Sequence, residues 1–158
     1  ALPLLRVHYP DVPIDMVNDS GVGILGPGGQ AALNDYWGAW DVYPDSCGDC
    51  IGADGNLTGF HSWQLDRDDN LRTGFMSYRR DDVVLERMPM TPEAWEAEML
   101  GAMDELEQAH PERFRSFVAD GEGHTFIIRD YELEVGDTTP KGWIADLLGD
   151  GPWVSVAD

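Results

Sequence analysis

The sequence predicts an α/β fold, a mostly parallel sheet with helices on both faces, on three observations. Short apolar segments of strand character alternate with longer segments of helical periodicity. Several of these segments end in polar, glycine-bearing turns, the usual place for ligands beyond the carboxyl ends of parallel strands. Hydrophobic residues make up 42% of the 158, enough to bury one core, and no internal repeat or linker divides the chain. Residues 1–158 are therefore read as a single unit.

Taken in order, Pro3 to Tyr9 reads as the end of a helix, stopped by Pro10-Asp11-Val12-Pro13. Ile14 to Val17 is a short apolar strand closing at Asn18-Asp19-Ser20-Gly21. The turn Gly26-Pro27-Gly28-Gly29 leads into a helix over Gln30 to Trp40, with Ala32, Leu33, Tyr36, Trp37 and Trp40 at helical spacing. Tyr43 to Asn56 is loop by its Asp, Gly, Pro and Cys content. Leu57 to Leu65 reads as a strand, since Phe60 and Trp63 favour one, and it ends at Asp66-Arg67-Asp68-Asp69-Asn70. Thr91-Pro92-Glu93 starts a helix that runs to about His110 with Trp95, Met99, Met103 and Leu106 on one face. Arg113 to Ala119 is a strand. Gly121-Glu122-Gly123-His124 is a tight turn before the apolar Phe126-Ile127-Ile128, and Lys141 to Leu148 is a last short helix.

Charge narrows the partners. Thirty acidic against ten basic residues give a net charge of −20, a field that repels phosphate and argues against nucleic acid and anionic membranes. Lys141 is the only lysine; a high-salt habitat or a GC-rich genome would each produce that bias. No apolar run approaches about 18 residues, so no membrane span is expected. Ala1 suits a processed N-terminus. Cys47 and Cys50 form the only C-x-x-C, a spacing used by redox pairs, zinc half-sites and small disulfide loops. A zinc site needs two further ligands, and His61 is the nearest histidine. The loop setting favours a local disulfide, hence an oxidising, secreted or extracytoplasmic location. No cofactor and no metal are expected.

The polar ends Asp19-Ser20-Gly21, Asp66 to Asn70 and Gly121 to His124 would converge if their strands are adjacent and parallel. A carboxylate after one strand and a histidine after the next form the second half of a hydrolase triad. Of the four histidines, His124 stands in a glycine-flanked turn that offers its ring to a cleft. His110 sits at a helix C-terminus, where it serves as a cap. Asp66, Asp68 and Asn70 start like a calcium loop, but Leu71 replaces the required glycine and Ser77 stands where the bidentate Glu belongs.

Five segments resemble the C-terminal half of the pectin acetylesterase/Notum family of α/β-hydrolase carboxylesterases, in the family's order and across nearly the whole chain. They are Asn18-Asp19-Ser20-Gly21, Tyr36-Trp37-Gly38-Ala39-Trp40, Trp63-Gln64-Leu65-Asp66, Gly123-His124-Thr125-Phe126-Ile127-Ile128-Arg129 and Gly142-Trp143-Ile144-Ala145-Asp146-Leu147-Leu148. The resemblance implies His124 as general base and Asp66 as the acid that orients it, with Asp68 the alternative acid. It implies a substrate pocket bordered by Asp19, Ser20, Gly21 and Val22. No G-x-S-x-G nucleophile turn occurs in the sequence. In the family it lies one helix upstream of the Asp-Ser-Gly strand, and Leu2 to Tyr9 resemble the last turns of that helix. The resemblance thus implies the C-terminal half of an α/β-hydrolase fold, completed by a companion polypeptide that carries the nucleophile, with Trp37, Trp40, Trp63 and Trp143 near the shared surface. The expected substrate is a small or polymeric carboxylic ester, and the acidic surface disfavours a polyanionic one. The alternative is a non-catalytic acidic α/β module for binding or assembly.

Overall fold

Four parallel strands, β1 (Ile14–Asp19), β2 (Leu71–Tyr78), β3 (Phe114–Ala119) and β4 (Val156–Ala157), form one sheet in the order β1-β2-β3-β4. The structure is a computed structural model and describes residues 2–26, 28–29, 31, 35, 38, 43–48, 50–52, 56–149 and 151–158. The helix expected over Gln30 to Trp40 lies largely outside the described residues, as do Trp37 and Trp40. The described helices are α1 (Leu2–His8), α2 (Thr58–Arg67), α3 (Asp82–Leu85), α4 (Pro92–Ala109), α5 (Phe126–Arg129) and α6 (Pro140–Leu148). The protein has an α/β fold. No helix among the described residues is long and apolar enough to cross a membrane.

The segment expected as a strand over Leu57 to Leu65 is helix α2, and the second strand is β2, further along. The reason is topological. β1 and β2 are parallel neighbours, with Ile14 opposite Leu71 and Asp19 opposite Met76. Parallel neighbours need a crossover, normally helical, before the second strand. Phe60 and Trp63 suggest a strand by their type, but Gln64 and Leu65 are what α2 buries, and Leu65 is the one that joins the core on the sheet. β2 hides its strand character because Arg72, Thr73, Gly74 and Ser77 interrupt its apolar residues.

Period-2 alternation sorts the strands onto two cores. Leu71 and Phe75 of β2, with Phe114 and Val118 of β3, meet Leu65 of α2 and Trp95, Met99, Met103 and Leu106 of α4. Met76 and Tyr78, with Phe117 and Ala119, meet Phe126 of α5 and Trp143 and Leu147 of α6. α4 begins as expected, Thr91 Oγ1 accepting the Ala94 N–H at 3.3 Å. α6 begins with Thr139 Oγ1 accepting the Gly142 N–H at 3.1 Å. Trp143 is only 1% exposed, so it is part of this chain's own core and no surface for a companion. Its indole lies over Gly74, where an added Cβ would come within 2.6 Å of the ring. Gly74 is therefore glycine for close packing. Arginine side chains tie elements together at the margins: Arg6 of α1 forks onto Asp68 at 2.5 and 2.9 Å, and Arg72 of β2 forks onto Asp15 of β1 at 2.7 and 3.1 Å.

Gly74→Ala is expected to lower stability by about 1–3 kcal/mol, because α6 must move off the sheet to admit the methyl group; a urea melt reads the loss. His61 provides a second check. Its ring packs edge-on to Phe75 at 4.6 Å, Nδ1 is enclosed without a hydrogen-bond partner, and burial lowers its pKa from 6.5 to about 4. Between those values the unfolded chain binds a proton that the folded chain refuses. Stability should thus fall as pH drops from about 6.5 to 4, by up to about 3 kcal/mol from this group. Denaturant midpoints measured across that range should lose about one proton of pH dependence in His61→Phe.

Candidate active site

The carboxyl ends of β1, β2 and β3 lie side by side, and the polar residues that follow them build the candidate site. The tail of β2 and the tail of β3 stay paired beyond the strands. Arg79 N–H donates to Ala119 O, Arg80 N–H to Gly121 O and Asp82 N–H to Glu122 O, at 3.0, 3.1 and 3.3 Å. This backbone zipper carries Asp81 alongside the turn that holds His124. His124 Nδ1 lies 2.9 and 2.8 Å from the two carboxylate oxygens of Asp81.

Asp81 is fully buried, while 39% of the His124 side chain is exposed. Asp81 is also the N-cap of α3, its Oδ1 accepting the Val84 N–H at 3.0 Å. Burial pushes its carboxyl above the ordinary carboxylate value; the hydrogen bonds from His124 and Val84 and the charge on His124 pull it back. An ionised carboxylate only accepts, so Nδ1 carries the ring proton and Nε2 is left as the basic nitrogen. A hollow of about 170 Å³ lined by Val83, His124, Thr125, Ile128 and Arg129 adjoins the ring.

The His124 turn is held from below. Tyr78, the last residue of β2, stacks on Phe126 with centroids 4.2 Å apart and donates to Asp130 Oδ2 at 2.6 Å. Burial, the bond to Asp130 and the nearby carboxylates of Asp130 and Asp19 raise the Tyr78 pKa, which keeps the phenol a donor. The turn passes so close over this ring that a Cβ at Gly123 would stand 2.6 Å from it. That contact explains the glycine directly before His124.

No family model, no curated protein and no solved structure matches the chain. The geometry alone therefore weighs the residues. Asp66 is not beside His124. It sits near the C-terminal end of α2, on the approach to β2, and so at the opposite edge of the sheet, one eight-residue strand or about 25 Å away. Its histidine neighbour is His110, at 3.8 Å. The alternative acid Asp68 is held by the Arg6 fork. His110 Nε2 also meets Ser62 Oγ at 3.1 Å, so Ser62, His110 and Asp66 gather a serine, a histidine and a carboxylate. Both neighbours share one ring nitrogen, however, and a relay needs the serine on one nitrogen and the acid on the other. His110 is 5% exposed, and burial lowers its pKa.

Of the residues expected to border a pocket, Asp19 and Ser20 are at the end of β1, on the same edge as His124. Ser20 has φ 67°, a left-handed backbone that side chains seldom adopt, and its N–H donates to Met76 O. Its Oγ is buried with no hydrogen-bond partner, so it cannot meet a substrate in this arrangement. Gly21 O accepts from Asn18 Nδ2 at 2.6 Å. Val22 is 1% exposed and belongs to the core under α4, so it does not border a substrate pocket as expected. Cys47 and Cys50 are joined by a disulfide. Among the described residues no three metal-ligating side chains gather.

Asp81 is the residue that sequence reasoning missed. Its signal is the pair Asp81-Asp82 before Val83-Val84-Leu85, an N-cap pattern. The pattern acquires meaning only once β2 is placed over Leu71–Tyr78, because Asp81 then follows a strand by three residues.

Proposed function

We propose that the chain is the C-terminal part of a serine carboxylesterase, in which Asp81 and His124 serve a nucleophilic serine on an upstream segment or companion chain. The observation that carries this reading is the buried Asp81 carboxylate on His124 Nδ1 at 2.8–2.9 Å, formed by residues that follow adjacent parallel strands in the order acid, then histidine. The segments resembling the pectin acetylesterase/Notum carboxylesterases support the same chemistry, with Asp81 replacing Asp66 as the acid. Among the described residues no strand pairs with the outer side of β1, which is consistent with completion by another segment. All six β1 residues are half-exposed, whereas strands of parallel sheets are normally covered on both faces.

In this mechanism His124 Nε2 takes the proton as the serine oxygen attacks the ester carbonyl. The Nδ1–H bond to Asp81 fixes the ring and stabilises the imidazolium. Collapse of the tetrahedral intermediate breaks the carbonyl–alkoxy bond, and Nε2–H protonates the departing alcohol. Water then attacks the acyl-enzyme with the same nitrogen as base, giving the free acid and restoring the serine. Backbone N–H groups outside this chain hold the oxyanion. A chain of charge −20 favours neutral over polyanionic esters, and a disulfide suits an oxidising compartment.

In the intact protein, His124→Ala and Asp81→Asn should each lower kcat for a short-chain aryl ester by roughly 10³–10⁴-fold, while Asp66→Asn should stay within about twofold. A fluorophosphonate should label a serine outside these 158 residues. Label on Ser20 would refute the companion nucleophile. Unchanged activity in His124→Ala would refute a catalytic part for this chain and leave it a binding or assembly module.

A further inference from the structure

We infer that Asp19 is a positioning residue for His124, holding the histidine's loop in register with Asp81 from the neighbouring strand. This rests on the esterase reading for its kinetic consequence but not for its geometry. The Asp19 carboxylate reaches across from the end of β1 to the start of α5. Oδ1 and Oδ2 accept the Phe126 N–H, each at 3.1 Å, and Oδ2 accepts the Ile127 N–H at 3.0 Å. Bonds from backbone N–H to an ionised carboxylate are among the stronger ones a protein makes, and here they bridge 107 residues of sequence.

His124 stands two residues before Phe126, so a shift at Phe126 is passed directly to the imidazole. The rest of the loop is held from β2 and β3, by the backbone zipper, the Asp81 carboxylate, the Tyr78 ring under Gly123 and Phe126, and Phe117 edge-on to Phe126. Asp19 is the anchor from the β1 side, which is the side a nucleophile carried by a preceding strand would approach. Both oxygens are engaged by this loop. β1 itself is built to aim it. Asp19 pairs with Met76 in the sheet, the Ser20 N–H returns to Met76 O, and the chain leaves the sheet at once through the left-handed Ser20 and the Asn18–Gly21 bond. The unusual backbone at Ser20 thus serves the carboxylate before it.

The test compares Asp19→Ala and Asp19→Asn in the intact protein by ester kinetics and by the proton NMR resonance of the His124 Nδ1–H, which its short bond to Asp81 shifts strongly downfield. Asp19→Ala should lower kcat by about 10–100-fold with KM within about twofold, and should broaden or move the resonance. Asp19→Asn keeps one acceptor and should fall between wild type and Asp19→Ala on both measures, and it serves alone if the alanine variant does not fold. Raised KM at unchanged kcat would overturn the inference and make Asp19 a substrate contact. A wild-type resonance with wild-type kcat would overturn it as well. A moved resonance in a protein with no esterase activity would uphold the positioning role and defeat the esterase reading.

Discussion

The register of β2 against β3 is the constraint from which the rest of the site follows. Tyr78 lies opposite Ala119, and the two chains continue to pair for several residues past the strands. Any slip would separate Asp81 from His124, since side-chain direction alternates with each residue. Burial makes the contact worth protecting. A carboxylate at 0% exposure is costly unless hydrogen-bonded, and the N–H of Val84 and the His124 ring supply those bonds. Position and protonation state are thus coupled: the same contact that places the ring also selects which nitrogen holds the proton.

The two faces of the sheet contribute differently. The face under α2 and α4 is a conventional aromatic and aliphatic core, in which Phe75 meets Phe114 edge-on at 5.2 Å. The face under α5 and α6 is an aromatic column in which Tyr78, Phe126, Phe117, Trp143 and Trp153 touch in succession. That column ends beneath the His124 turn, so stacked aromatic rings support the residue whose placement matters most. Flat rings give it rigidity at little rotamer cost.

Much of the fold was legible in the sequence, and the reasons are local. α4 announces itself through Thr91, Pro92 and a stripe at helical spacing; β1, β3 and α6 were legible by similar signs. α2 and β2 were not. Aromatic residues that favour strands occupy α2, and a glycine needed beneath Trp143 sits in the middle of β2. Tertiary contacts overrode local preference in both segments. The site followed the same division. His124 is legible from its glycine-flanked turn, whereas Asp81 is not, because local sequence points to a strand before Asp66 and hides the one that delivers Asp81. Asp19 was legible as a site residue by its position, but its partners are backbone N–H groups 107 residues away, which no local pattern can show.

The open edge of β1 has a consequence for the behaviour of many copies together. Six residues whose outer backbone side pairs with no strand among the described residues are a template for edge-to-edge association. Thirty carboxylates against ten cations keep identical chains apart at low ionic strength, and arginines such as Arg6 and Arg72 are already committed to internal carboxylates. Colloidal stability here is a long-range Coulombic effect, with a reach set by the Debye length of about 8 Å at physiological salt. Concentrated salt shortens that reach and leaves the edge to be guarded by whatever strand covers it.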